Sequence, residues 1–350
     1  MKATPTAKFG IMDTPDTAAP CEILAVGLNQ AWQKILFLDR FTPGQVNRAA
    51  AVQELAAGKA TNFAAGILQL GGRVTVAQFA GGLTGEWLCA DQERRGIRHL
   101  TVTTASATRI CTTLVSRAEH TASELIEPSG KVTETEFLRL REMILGALAA
   151  WRGVGLCGTF PPGVPASFYA ETAAAARSQA IVLLDAVRDI TDTLRSGVDL
   201  LKINAIELRE LTQENDPVRA AQALLSAYRI SWLAVTAGAE TACLARPGES
   251  WSFTLPRLAQ VVNPIGAGDC VAGVFLWRLL HPGGLGQPIS VPPSFDRDRI
   301  LQAANVVPAY RDALACGSAS CLEAAPAAFA VEKAREIAAQ IQIRDPGHAT

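Results

Sequence analysis

The chain has almost no net charge: 32 Lys and Arg stand against 33 Asp and Glu, a formal −1 at pH 7. That balance gives no support to a nucleic-acid or bilayer surface as partner, because both favour clustered basic side chains. No apolar run approaches the roughly 20 residues that a membrane-spanning helix needs. The eight cysteines include no C-x-x-C pair, and the nearest two, Cys316 and Cys321, have no histidine nearby. The four histidines are isolated, with no H-E-x-x-H pattern. A zinc centre or disulfide framework is therefore not expected, and the cysteines read as free, buried thiols of a cytoplasmic protein. Met1 to Pro20 lack the continuous apolar core of a signal peptide and read as a mobile tail. No internal repeat is present.

What is present suits a well-filled α/β core: 350 residues, 49% hydrophobic and 19% charged. Apolar β-rich runs at Ile23–Val26, Val74–Phe79, Gly153–Cys157, Ile181–Asp185, Leu200–Ile203 and Trp232–Thr236 alternate with helical patterns. The helical stretches are Thr61–Leu70, Glu134–Trp151, Pro165–Ser178 and Ala220–Tyr228. Such alternation predicts a parallel sheet with helices on its faces. Ligands gather at the carboxyl ends of such strands, so Thr159, Asp185, Lys202 to Asn204 and Thr236 to Gly238 are expected to line one crevice. Two segments break the pattern. Trp32–Leu38 with Val46–Val52, and Thr108–Arg117 with Ser123–Glu127, read as hairpins of a small separate sheet, a flap over the crevice that excludes water. His281–Arg299, rich in Pro and Gly, reads as a surface loop.

The most informative stretch is Asn263-Pro-Ile-Gly-Ala-Gly-Asp-Cys270, followed by an apolar run. It reads as a glycine-rich turn opening a helix. Backbone N–H groups there have no internal partners, and the helix dipole adds positive charge, so phosphate is held well. A carboxylate would ordinarily repel phosphate, so Asp269 points to chemistry: a base for a hydroxyl that attacks a phosphoryl group. Gly266, Ala267 and Gly268 would donate N–H groups to the charge on that group. The plainer alternatives are a helix-capping Asp and glycines that merely permit the turn. A dinucleotide fingerprint fails on spacing, because Val271 stands where the third glycine is due.

These residues, with others in order, carry a resemblance. Gly27 to Ala31, Pro43 to Arg48, Ala57 to Asn62, Gly81-Gly82, Thr108-Arg109, Gly158 to Gly163, Asp185, Lys202 to Asn204 with Glu207, Thr236 to Glu240 and the Gly266–Asp269 turn fall in the sequence of motifs of one family. From about Cys21 to Phe329 the chain resembles the PfkB/ribokinase sugar kinases, most closely their phosphosugar branch, the 1-phosphofructokinase and tagatose-6-phosphate kinase group. The resemblance implies a single ribokinase-like three-layer α/β/α domain over 21–340, with a mostly parallel central sheet. It implies a β-sheet lid from about 32–52 and 108–127, and a homodimer formed through that lid.

The resemblance also implies ATP and Mg²⁺, with a sugar phosphate as the small-molecule partner. Lys202, Asn204, Thr236, Gly238 and Gly268 would meet the nucleotide, and Asn204 with Glu207 would organise the Mg²⁺ through water. Lys59, Arg109 and Arg48 are candidates to grip the phosphate already on the sugar, and Gly58 and Asn62 match sugar contacts. An ordinary cap, turn or solvated side chain stays open as the alternative at each. The pattern breaks on the sugar side. Where the family usually has Asn-Pro-Ala-x-Asp, this chain has Asn29-Gln30-Ala31-Trp32-Gln33, so the sugar-gripping Asp is replaced by neutral Gln33. Ala57 and Ala60 stand where glycine is common. The expected activity is ATP-dependent phosphorylation of fructose 1-phosphate to fructose 1,6-bisphosphate. The alternatives are tagatose-6-phosphate or 6-phosphofructokinase activity, a kinase for an unphosphorylated sugar or nucleoside, and a non-catalytic sensor.

Overall fold

The computed structural model describes residues 22–119, 121–287 and 294–344. The expected tail lies outside them, as does part of the loop expected at 281–299. In chain order the strands begin with β1 (Glu22–Val26), β2 (Ala31–Leu38), β3 (Ala51–Ala57), β4 (Val74–Ala80), β5 (Arg98–Thr103), β6 (Ile110–Ser116) and β7 (Thr121–Ile126). They continue with β8 (Trp151–Cys157), β9 (Ile181–Asp185), β10 (Val198–Asn204), β11 (Ile230–Thr236), β12 (Ala242–Arg246), β13 (Glu249–Thr254) and β14 (Gln342–Arg344). The helices are α1 (Lys59–Gln69), α2 (Gly82–Arg94), α3 (Glu134–Ala147), α4 (Ser167–Ala176), α5 (Thr191–Ser196) and α6 (Ala205–Thr212). After them come α7 (Pro217–Ala227), α8 (Ala267–Leu280), α9 (Arg297–Ile300), α10 (Ala303–Ser320) and α11 (Val331–Gln340).

Alternation along each strand builds three layers. In β1, Ile23 and Ala25 face one core and Leu24 and Val26 the other; in β9, Ile181 and Leu183 alternate with Val182 and Leu184 in the same way. One core is closed by α1, α8, α10 and α11, the other by α3 to α7. The sheet has ten strands in the order β14-β13-β12-β11-β10-β9-β8-β1-β4-β5. Every neighbouring pair from β5 to β11 is parallel. From β11 to β14 the pairs are antiparallel. The chain leaves β1 for β4 on one side and returns to β8 on the other. That reversal opens a crevice at the strands' carboxyl ends.

The small sheet is separate, in the order β3-β2-β6-β7. It packs on the body through Trp32, Ala56, Ala80 and Leu88. Its second strand starts at Ala51, not at Val46. Asn47 accepts from the Thr42 amide (2.8 Å) and donates to the carbonyls of Thr42 (2.8 Å) and Gln45 (2.9 Å), which ties 42–47 into a closed turn.

Three other expectations change. Trp151 begins β8 rather than ending a helix, because a 3₁₀ turn at Leu148–Ala150 stops α3 first. Strands β5, β12, β13 and β14 were not anticipated. Within the expected loop at 281–299, Arg297–Ile300 form a short helix capped by Asp296. Among the described residues no helix is long and apolar enough to cross a membrane, and all seven described cysteines are thiols.

Candidate active site

The turn before α8 is built as its sequence suggests. Gly266 is the N-cap with φ of 75°, a left-handed conformation that favours glycine. A Cβ there would stand 2.9 Å from Asn62 Nδ2, so glycine also admits that amide. Ala267, Gly268 and Asp269 form the first turn, where N–H groups have no carbonyl within the helix; that of Ala267 donates to the Pro264 carbonyl just before it (3.3 Å).

Asp269 meets α1 because α1 and α8 approach backbone to backbone. A Cβ on Gly273 would come within 2.2 Å of the Phe63 carbonyl oxygen, and one on Gly66 within 3.0 Å of Cys270 Sγ. That approach brings Asn62 Nδ2 to 2.9 Å from Asp269 Oδ2, a hydrogen bond that Asn62 donates. Asn62 Oδ1 is buried and has no partner.

Two lysines and a second carboxylate complete the centre. Asp185, the last residue of β9, is 1% exposed. Its Oδ1 lies 2.7 Å from Lys59 Nζ and 3.6 Å from Lys202 Nζ. Lys202 is 4% exposed, and a Cβ on Gly268 would come within 2.8 Å of its Nζ. Desolvation pushes the Asp269 carboxyl up to about 6; Lys59, Lys202 and Asn62 pull it down, and Asp185 adds to the rise. Burial works against the charge of Lys59, yet Asp185 and Asp269 outweigh it and hold the ammonium above the usual lysine range. For Asp185 burial again opposes charge, and Lys202 with Lys59 holds it below the usual carboxylate range.

On one side of this centre lies a cleft of about 790 Å³, large enough for a nucleotide. Lys202, Asn204, Thr236, Gly238 and Gly268 all line it. Its apolar walls come from Leu255, Leu258, Val261 and Leu314, which the sequence reading missed. Asn204 and Glu207 form a capping box at the start of α6. Asn204 N donates to Glu207 Oε2 (2.8 Å), and Glu207 N to Asn204 Oδ1 (2.9 Å). The capping alternative therefore describes half of each side chain.

A smaller cleft holds Asn29, Gln30, Arg109 and Ser129. Arg109 Nη2 donates to the Asn29 carbonyl (2.9 Å), Asn29 Nδ2 to Thr159 Oγ1 (3.0 Å), and Ser129 Oγ to Asn29 Oδ1 (2.8 Å). Arg109 Nε and Gln30 Nε2 are buried without partners. Gly58 has φ of 114°, and a Cβ there would overlap Gln30 Oε1 at 1.8 Å. Two candidates are not gathered here. Gln33 is buried in the lid, where its Nε2 donates to Thr113 Oγ1 at 2.7 Å. Arg48 is exposed, in the loop joining the far ends of β2 and β3. Lys59 is in the centre, but on Asp185.

A part-buried carboxylate at a helix start, cationic neighbours and a nucleotide-sized cleft suit transfer of a phosphoryl group to a hydroxyl. The chain belongs to the pfkB family of carbohydrate kinases, whose model matches residues 30–333. It is 26% identical to tagatose-6-phosphate kinase of Staphylococcus epidermidis over 268 residues, 74% of this chain and 86% of that one. To 1-phosphofructokinase of Vibrio cholerae it is 31% identical over 267 residues, 73% and 82% of the two chains. Its fold matches phosphofructokinase-2 of Escherichia coli with a TM-score of 0.78 at 23% identity, covering 91% of this chain and 99% of that one. The protein is an ATP-dependent carbohydrate kinase, and these relatives are named as kinases of sugar phosphates.

Proposed function

We propose that the chain transfers the γ-phosphoryl group of ATP to a primary hydroxyl of a ketohexose phosphate, fructose 1-phosphate being the first candidate. The observation that carries this reading is Asp269, held by Asn62 at the N-terminus of α8, whose first residues Ala267 and Gly268 line the larger cleft. ATP occupies the larger cleft, with its phosphates toward Lys202, Thr236 and Gly238. The sugar phosphate occupies the smaller one, with its phosphate at Arg109 and its acceptor hydroxyl at Asp269. The hydroxyl oxygen bonds to the γ-phosphorus as the bond to the bridging oxygen breaks; the hydroxyl proton passes to Asp269 and ADP leaves. N–H groups of the Gly266–Gly268 turn face the charge on the moving group, that of Ala267 giving up its 3.3 Å bond to the Pro264 carbonyl. The free Oδ1 of Asn62 suits a donor hydroxyl on the sugar.

Mg²⁺ would be held with the ATP phosphates through water, Asn204 and Glu207 being the residues beside it. Among the described residues no three His, Cys, Asp or Glu side chains stand close enough to hold a metal. Asn204 spends its only side-chain oxygen on the cap and Glu207 one of its two, leaving Glu207 Oε1 to accept from the waters of an ion that travels with the ATP phosphates. When bound, that ion neutralises phosphate charge.

ATP consumption over a panel of sugar phosphates and neutral sugars tests the reading. Fructose 1-phosphate is expected to give the highest kcat/KM, and tagatose 6-phosphate or fructose 6-phosphate leading instead would transfer the assignment to that sugar. Arg109→Ala should raise KM for phosphorylated acceptors about 10- to 100-fold, as loss of a charged hydrogen bond of about 1.5–3 kcal/mol implies. An equal loss for neutral sugars would remove Arg109 from the phosphate. We further propose that two copies pair through their lids, where Val52, Leu125 and Ile126 are 56%, 58% and 59% exposed. Sedimentation should give twice the monomer mass, and a monomer at micromolar concentration would refute the pairing.

A further inference from the structure

Asp185 has no part in the mechanism above, yet it is the most deeply buried charge in the centre. One of its oxygens faces both ammonium groups, at 2.7 and 3.6 Å, while Oδ2 is buried with no hydrogen-bond partner. A carboxylate kept only for stability would have both oxygens satisfied, since an unmet buried acceptor is destabilising. Lys202 Nζ lies beside Gly268, where an added Cβ would stand 2.8 Å from it, whereas the Lys59 side chain is 33% exposed and its ammonium is held by Asp185 at 2.7 Å. Each lysine therefore reaches the reacting groups from a position set by Asp185.

We propose that Asp185 is a positioning residue of the phosphoryl transfer, tethering the Lys59 ammonium beside the base Asp269 and the Lys202 ammonium beside Gly268 so that the centre stays electrically balanced. This rests on Asp269 being the base. The ionisable groups that act on Asp269 are Lys59 of α1, Asp185 of β9 and Lys202 of β10. Cys157 of β8 and Cys270 of α8 also adjoin it, but burial keeps both thiols protonated. Glu207 of α6 acts on Lys59. With two lysines and two aspartates the four principal charges sum to zero. Removing Asp185 leaves a surplus positive charge, which favours ionised Asp269; removing Lys59 does the reverse.

The test is the pH dependence of kcat/KM for wild type, Asp185→Asn, Lys59→Gln and the double variant, with the best sugar phosphate from the panel. In Asp185→Asn the acid limb should move about one unit or more toward low pH, the smaller end of the effect of a nearby charge. In Lys59→Gln it should move up by a similar amount. The double variant, balanced again, should return close to wild type. The kcat of Asp185→Asn should fall on the order of tenfold or more, because the lysines lose their fixed positions. A merely structural role would lower the active fraction and leave the limb in place. An unmoved limb in soluble Asp185→Asn overturns the proposal. Should that variant not fold, the double variant against Lys59→Gln decides: the limb must drop when Asp185 is also replaced, and a limb that does not drop overturns it. A wild type with no acid limb, or Asp269→Asn with the limb unchanged, would instead overturn the role of Asp269.

Discussion

Asp269→Asn should lower kcat by about 10²–10⁴, the range a positioned base contributes, while KM for ATP changes little. Asparagine keeps the shape and can still accept the hydrogen bond from Asn62, so the loss isolates proton acceptance from positioning. Stability should stay near wild type. The carboxylate at the helix start gains about 0.3–1 kcal/mol from the dipole, but its desolvation opposes this, as the rise of its pKa to about 6 reflects. Steady-state kinetics with a thermal melt check both parts. Near-wild-type kcat in a folded variant would remove Asp269 from catalysis, and a collapsed melt would leave the kinetic loss uninformative, so both must be measured.

Gly273→Ala should damage the enzyme from about one turn of helix beyond Asp269. Its new methyl would stand 2.2 Å from the Phe63 carbonyl oxygen and 3.1 Å from Phe63 Cα, both backbone atoms that cannot rotate aside. Helices α1 and α8 must separate, and with them Asn62 and Asp269. Overpacking of this kind destabilises by about 1–3 kcal/mol, and a misplacement of about 1 Å at a reacting centre can lower turnover by about 10². Gly146→Ala is the control. It lies in α3 with nothing within 4 Å of its added Cβ, so gain of helix propensity should stabilise it by up to about 1 kcal/mol. Urea denaturation and kcat on both variants test the contrast. A Gly273→Ala enzyme with unchanged kcat and midpoint would mean that the helix contact does not set the site.

What was legible in the sequence was chemistry confined to a few consecutive residues. The Gly266–Asp269 turn puts cap, anion donors and carboxylate within one helical turn, so spacing alone reveals it. The parallel sheet was legible because each central strand is an apolar run between helices. Partnerships across the chain were not. Lys59 is 126 residues from Asp185, so it read as a free cation for the sugar's phosphate. Gln33, standing where an acid is usual, is engaged inside the lid by Thr113. Arg48 sits at the far end of the lid hairpin because the turn tied by Asn47 postpones β3 to Ala51. The nucleotide cleft's apolar wall, Leu255 to Val261, has neither helical nor strand periodicity and passed as connection. A cue to β12 and β13 was present: Pro247-Gly248 is a turn dipeptide between two short apolar-polar runs, and the structure turns there, with Gly248 at φ of 80°.

The most direct measurement is kcat/KM against pH, with ATP and the preferred sugar phosphate, for wild type and Asp269→Asn. Wild type should lose activity below an acid limb near pH 6, where the carboxyl of Asp269 takes up its proton, over and above the substrates' own phosphate ionisation at about pH 6, which both enzymes share. With that common ionisation divided out, the residual activity of Asp269→Asn should be flat through the region. A corrected limb persisting near pH 6 in Asp269→Asn would mean that another group accepts the proton, and the account of the site would be wrong.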